Sequence, residues 1–155
     1  MKRHESIIPL SRDHHHALLF CWKLKQGIQK NVQSDRLSAY VNYFFDQHLQ
    51  LHFRLEEELL FSKSQDKLCS QAMDEHQQLE KLVSAIAQHE RIQDIATLVL
   101  QLEAHIRFEE RVLFPHLEQI LSSATLQQIT KEMPDDTGKS EDDDFEDRFW
   151  QSNEY

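Results

Sequence analysis

The chain has 155 residues, a formal charge of −10, two glycines and three prolines. That length buries a single core, and so few turn-forming residues exclude an all-β fold and favour long helices on short loops. No basic stripe is present to attract a phosphate backbone, and the longest apolar run, ALLFCW at 17–22, is too short to span a bilayer, so neither nucleic acid nor membrane is an expected partner.

Ser11 is placed to cap a first helix over about residues 11–30, where Leu18, Cys21, Leu24 and Ile28 recur at helical spacing. Ser34 caps a second, to about Ser62, with Leu37, Val41, Phe44, Phe45, Leu49, Leu51, Leu55, Leu59 and Leu60 inward or nearly so. After SKSQDK a third helix, about 66–89, carries Leu68, Met73, Leu79, Leu82, Val83 and Ile86. The fourth, about 93–121, carries Ile95, Leu98, Leu102, Ile106, Leu113 and Leu117, and Pro115 should kink it or end its regular part. Ser123 then caps a short fifth helix, about 124–133. The pattern predicts an all-α fold: an antiparallel up-down-up-down four-helix bundle over 1–133, with a short fifth helix. An acidic tail follows at 134–155, holding nine acids against Lys139 and Arg148. Its composition predicts a solvated end; Phe145, Phe149 and Trp150 offer the alternative of docking on the bundle or on a protein partner.

One phrase occurs twice. HFRLEEELLF, from His52, returns 53 residues later as HIRFEERVLF, from His105, with six of ten positions identical. Each copy sets a histidine four residues before a glutamate, His52 with Glu56 and His105 with Glu109, and on a helix such residues share one face. Leu49, Leu55, Leu59 and Leu60 around one pair, and Leu98, Leu102, Phe108, Val112 and Leu113 around the other, turn both pairs inward. An unpaired charge is prohibitive there.

If the repeat extends to the other two helices, RDHHHALLFCWKL corresponds to MDEHQQLEKLVSAI. His76 is then the inward histidine of the third helix. For the first helix, His14 is favoured by its phase with Leu18, Cys21, Leu24 and Ile28, whereas His15 is favoured by Asp13 standing two before it, as Asp74 stands two before His76, and by Leu18 three after it, as Leu79 stands three after His76. Both stay open. His16 points outward by phase, and His48 and Glu80, each one turn from a candidate, are weaker additional donors. Four histidines and two carboxylates are too many for one tetrahedral zinc. They suit two ions bridged by the carboxylates, with iron preferred and manganese or zinc as replacements. Cys21 and Cys69 form no CxxC motif and no disulfide framework, which predicts a reducing, cytoplasmic setting.

The DHH of Asp13 to His15, the run from His52 to Glu57, the EH of Glu75 and His76 and the HIRFEE run from His105 to Glu110 resemble the hemerythrin-like, HHE cation-binding family over about residues 8–121. The resemblance implies a non-haem centre of two iron ions, oxo- or hydroxo-bridged, in the bundle core. His14 or His15, His52, His76 and His105 would be its terminal ligands, and Glu56 and Glu109 its bridges. Oxygen-carrying members place a histidine four before the third-helix ligand, where this chain has Ala72, and an aspartate on the fourth helix at a longer spacing than His105 to Glu109. The chain is therefore more similar to the branches associated with iron sensing and iron–sulfur cluster repair. The expected function is a binding protein that senses, stores or scavenges iron, dioxygen, nitric oxide or peroxide. The alternatives are a di-iron enzyme of peroxidase, oxidase or nitric oxide/iron–sulfur repair type, and a metal-free helical interaction module.

Overall fold

The first helix begins one turn earlier than Ser11 predicts. In the computed structural model, which describes residues 2–139 and 143–151, α1 spans Ile8–Gln29 with Pro9 in its first turn. A missing N–H and a fixed φ cost little at that position. The second helix, α2, runs over 34–63 and is not uniform. Ser34–Phe44 and Gln50–Leu55 are α-helical, Phe45–Leu49 and Glu56–Leu60 are widened π-helical turns, and Phe61–Lys63 closes it as a 3₁₀ turn.

Asp66 caps α3 (Lys67–His89) by accepting the Leu68 N–H at 2.8 Å. The fourth helix, α4, covers 92–120, as Ile92–Phe108, a π-helical turn Glu109–Leu113, and Phe114–Ile120. The expected interruption at Pro115 thus lies just upstream of it. Pro115 itself sits in the first turn of the resumed helix, where a proline is tolerated. Ser122, not Ser123, caps α5 (Ser123–Glu132), its hydroxyl accepting the Thr125 N–H at 3.1 Å. The described residues contain no strand, and none of their helices is long and apolar enough to cross a membrane.

The helices form a bundle in which α1 packs on α4, α4 on α3 and α3 on α2. Its interior holds two apolar clusters. The larger is built from residues such as Phe20, Leu24, Tyr40, Phe44, Ile86 and Leu98, the smaller from Ile7, Leu10, Leu60, Phe114, Leu117 and Ile129. His14, His52, Glu56, His76, His105 and Glu109 are buried at the helix levels where the two clusters meet.

Four positions predicted inward are exposed: Leu18, Leu51, Met73 and Val112. On α1 the buried stripe runs through Leu10, His14, Ala17, Cys21 and Leu24, so Leu18 lies beside it. On α2 the widened turn at Phe45–Leu49 shifts the helical phase, and His52 and Phe53 take the inward places next to Leu51. On α3 the buried face follows Cys69, Ala72, His76, Leu79 and Val83, one step off Met73.

Residues 143–151 lie against this frame. Phe149 and Trp150 are buried on Tyr40, with ring centroids 5.4 and 5.3 Å away. Lys23 pairs with Asp143 at 2.9 Å, and Arg36 with Asp147 at 2.6 Å. Residues 140–142 and 152–155 of the acidic tail lie outside the described residues.

Gly27 permits this packing, because a Cβ there would stand 2.4 Å from Leu37 Cδ2 and 2.8 Å from Phe149 Cε1. Gly27→Val should therefore destabilise the protein by about 1–3 kcal/mol through overpacking. A lowered urea midpoint with a weakened near-ultraviolet tryptophan signal is the expected result, and an unchanged midpoint would contradict the close contact.

Candidate metal centre

Helical geometry brings the six buried polar side chains together from four helices. The four-residue spacing stacks His52 over Glu56 and His105 over Glu109, with Nε2 to carboxylate distances of 3.3 and 3.2 Å. Each of these glutamates is the first residue of a π-helical turn. Such widened turns recur at functional positions.

The result is two overlapping groups of donors. His14, His52, Glu56 and Glu109 form one, and His76, His105, Glu56 and Glu109 the other; within each, one donor atom per residue lies within 4.8 Å of the rest. Both carboxylates belong to both groups. Glu56 is 3.1 Å from His76 Nε2 and 3.6 Å from His14 Nε2, while Glu109 is 2.8 Å from His14 Nε2 and 3.5 Å from His76 Nε2.

All four imidazoles aim Nε2 at the carboxylates and use Nδ1 to donate outward. His14 donates to Glu110 at 2.6 Å, His52 to Asp13 at 3.1 Å, His76 to Glu57 at 2.7 Å and His105 to Glu75 at 2.7 Å. Exchanging α1 with α3 and α2 with α4 converts each of these contacts into another. Such outer carboxylates fix ring orientation and tautomer and raise the basicity of Nε2. Phe53 stacks on His76 at 3.9 Å and Phe114 on His14 at 5.4 Å, which seals the layer with apolar rings.

Of the two open histidines, the structure brings His14 into the cluster and leaves His15 exposed. Adjacency explains the outcome: Asp13–His14 matches Glu75–His76, whereas an alignment through Asp74 places the acid one residue too early. His16 is half-buried and belongs to neither group. His48 is also outside both, 3.8 Å from Asp143, and Glu80 is exposed. The roles of Asp13, Glu57, Glu75 and Glu110 are not apparent from sequence spacing. Their one signal is that each stands next to a member of the cluster.

The donor set fits a cation. Nε2 of His52, His76 and His105, both oxygens of Glu56 and Oε2 of Glu109 are buried without a hydrogen bond. Buried groups left this way are costly unless something binds them. Burial opposes charge on every one of these side chains, yet opposite neighbours outweigh it. Against that burial, Glu109, Glu56 and Glu57 raise His76 to about 11, and Glu109 with Glu75 raises His105 to about 9. His14 and His52 are raised as well. Despite its own burial and the adjacent Glu56, Glu109 is held at about 2 by His105 and His14, and Glu56 lies well below the usual carboxylate range. Raised imidazoles and lowered carboxylates favour the ion-paired forms of the metal-free cluster, and a metal ion competes with the protons for the same donor atoms. Burial pushes the Cys21 thiol to about 12 and the Cys69 thiol to about 11, and neither is in the donor groups.

The hemerythrin HHE cation-binding domain family matches residues 7–117, a span that contains all four histidines and both glutamates of the cluster. The chain belongs to this family. Comparison with curated proteins and with solved structures returns no match. Membership in the hemerythrin HHE family implies cation binding, and these His and Glu groups are the part of this domain that could hold the cation.

The elevated histidines set the pH response of the metal-free hemerythrin domain. Their stabilisation is fully present below the ordinary imidazole value and is lost as pH rises through about 9 for His105 and about 11 for His76. The depressed Glu109 contributes above the ordinary carboxylate value and is lost as pH falls through about 2. Metal-free protein should therefore melt highest at roughly pH 5–6 and lower toward pH 10, while the stabilisation gained on adding metal grows over that interval. Thermal melts with and without chelator check this. A metal-free Tm that climbs steadily from pH 6 to 10 would contradict it.

Proposed function

We propose that this hemerythrin-family chain is a dinuclear non-haem iron protein that senses, stores or scavenges iron, dioxygen, nitric oxide or peroxide. The observation that carries the reading is that two four-residue donor groups share both Glu56 and Glu109. Shared carboxylates bridge two ions naturally, and imidazole with carboxylate suits iron, with manganese or zinc as replacements. The bundle of residues 1–133 is read as antiparallel. Support comes from Ser11 meeting Glu110 while Lys25 meets Glu103, and from Ser38 near the start of α2 donating to the Ile86 carbonyl near the end of α3.

In this reading His14 and His52 serve one ion, His76 and His105 the other, and Glu56 and Glu109 span both. Iron bound there supplies a redox-active pair able to take a small ligand. The protein's own part is to fix the rings through their Nδ1–H donors, to keep both bridging carboxylates ionised and to exclude bulk water with Phe53 and Phe114. The buried thiols accord with a reducing, cytoplasmic setting. A second reading, a di-iron enzyme of peroxidase, oxidase or nitric oxide/iron–sulfur repair type, draws support from a cavity of about 240 Å³ that reaches His52 between Phe44, His48 and Leu55. The orphaned donor atoms speak against a metal-free interaction module.

Protein reconstituted with iron should bind about two irons per chain, as a two-metal site requires. Glu56→Ala combined with Glu109→Ala should bring the content near zero, and His52→Ala or His76→Ala near one. One iron in the unaltered protein, or content indifferent to the two glutamates, would sink the reading. Turnover of peroxide or nitric oxide that vanishes in the double variant would move the assignment to the enzyme.

A further inference from the structure

Asp13 holds two partners, one on each carboxylate oxygen. Its Oδ2 accepts the Nδ1–H of His52 and its Oδ1 the backbone N–H of Gly138, both at 3.1 Å. The first partner belongs to the buried cluster. The second lies 125 residues further along the chain, in a turn closed by the Thr137 N–H on the Pro134 carbonyl and the Lys139 N–H on the Asp136 carbonyl. That turn lies flat on the start of α1. Gly138 has φ +78°, and a Cβ there would stand 2.5 Å from the Pro9 carbonyl oxygen and 3.0 Å from Arg12 Cβ.

Beyond the turn, residues 143–151 are seated on α1 and α2. Asp143 meets Nζ of the buried Lys23, which lies 4.2 Å from the Trp150 ring centroid. The Asp144 N–H donates to the Tyr43 hydroxyl at 3.0 Å, and Lys30 Nζ donates to the Trp150 carbonyl at 2.8 Å. Phe145 lies 5.1 Å from the rings of both Tyr40 and Tyr43. Ordering such a segment costs chain entropy, which these contacts have to offset. A buried charge needs its partner, and Asp143 is one that Lys23 has only while the segment is docked. The docked state is thus a balance that a modest coupling can move.

The coupling runs through Asp13. Nε2 of His52 is buried without a hydrogen bond, so in the metal-free protein the ring is held by Asp13 and by packing alone. An ion on Nε2 fixes the ring plane, and with it the direction of the Nδ1–H that Asp13 accepts. Asp13, held by that N–H, presents its other oxygen to Gly138. We propose that residues 134–139 and 143–151 form a metal-linked clasp: an ion on His52 favours the docked clasp, and loss of the ion releases it and uncovers the surface around Lys23, Gly27 and Tyr40. Linkage is reciprocal, so the docked clasp also tightens metal binding. The inference rests on His52 being a metal ligand, and it holds whether the centre takes one ion or two.

The test uses the full chain with Trp22→Phe, which leaves Trp150 as its one tryptophan, and Zn²⁺, which does not quench fluorescence. Adding Zn²⁺ to the metal-free protein should move Trp150 emission to shorter wavelength and lower its quenching by acrylamide. By calorimetry, Gly138→Ala and Trp150→Ala, made separately, should each weaken Zn²⁺ binding about fivefold or more, the lower end of the usual coupling between linked sites. Asp13→Ala should cut the link, so that Zn²⁺ no longer changes Trp150 and adding Gly138→Ala weakens binding no further. Absence of Zn²⁺ binding, or binding that His52→Ala leaves unchanged, overturns the metal-centre reading itself. Zn²⁺ binding through His52 with no response from Trp150, affinity indifferent to Gly138→Ala or Trp150→Ala, or a Trp150 response that survives Asp13→Ala, overturns the clasp alone.

Discussion

Two glutamates and four histidines are buried together in the middle of a largely apolar bundle, and the rest of the structure answers to that constraint. Charged groups taken out of water must be paired or bound to a metal. The inner carboxylates are therefore surrounded by imidazoles, and the imidazoles are backed by a second ring of acids at the edge of solvent. Apolar side chains build the rest of the interior, and Phe53 and Phe114 lie directly on two of the histidines. Replacing such a layer with hydrophobic residues often costs a protein nothing in stability. Its place in this core is accounted for by cation binding.

The inner and outer rings come from neighbouring residues. Asp13 with His14, Glu56 with Glu57, Glu75 with His76, and Glu109 with Glu110 each supply one inner donor and one acid that supports a ring on another helix. Every histidine is thus held by a helix other than its own. Assembly of the bundle and orientation of the donors are one event, and metal binding should stabilise both together. The π-helical turns that start at Glu56 and Glu109 are part of the same arrangement, since each begins at a shared carboxylate.

Much of this was legible in the sequence because helical period is strict. A histidine four residues before a glutamate, flanked by inward leucines, can face only one way, and the repeat at 53 residues pointed to two such faces. His14 and His15 were not separable by period, since either can be brought into phase with some of the apolar residues that follow. What divides them is the acid at Asp13, whose partner is His52 on a different helix. The widened turns carry no comparable sequence mark, and Leu51 was misplaced for that reason. Arg3, which donates to the Glu110 carbonyl, and Gly138, whose N–H donates to Asp13, could not be found by spacing, because they lie 107 and 125 residues from those partners along the chain.

The proposed dinuclear centre sets Glu56 and Glu109 between two ions. Iron K-edge X-ray absorption on the iron-loaded protein tests it most directly. The expected spectrum shows nitrogen and oxygen ligands without sulfur, and an iron–iron distance of about 3.5–4 Å. A spectrum with no iron–iron scattering, or with sulfur bound to the metal, would contradict it.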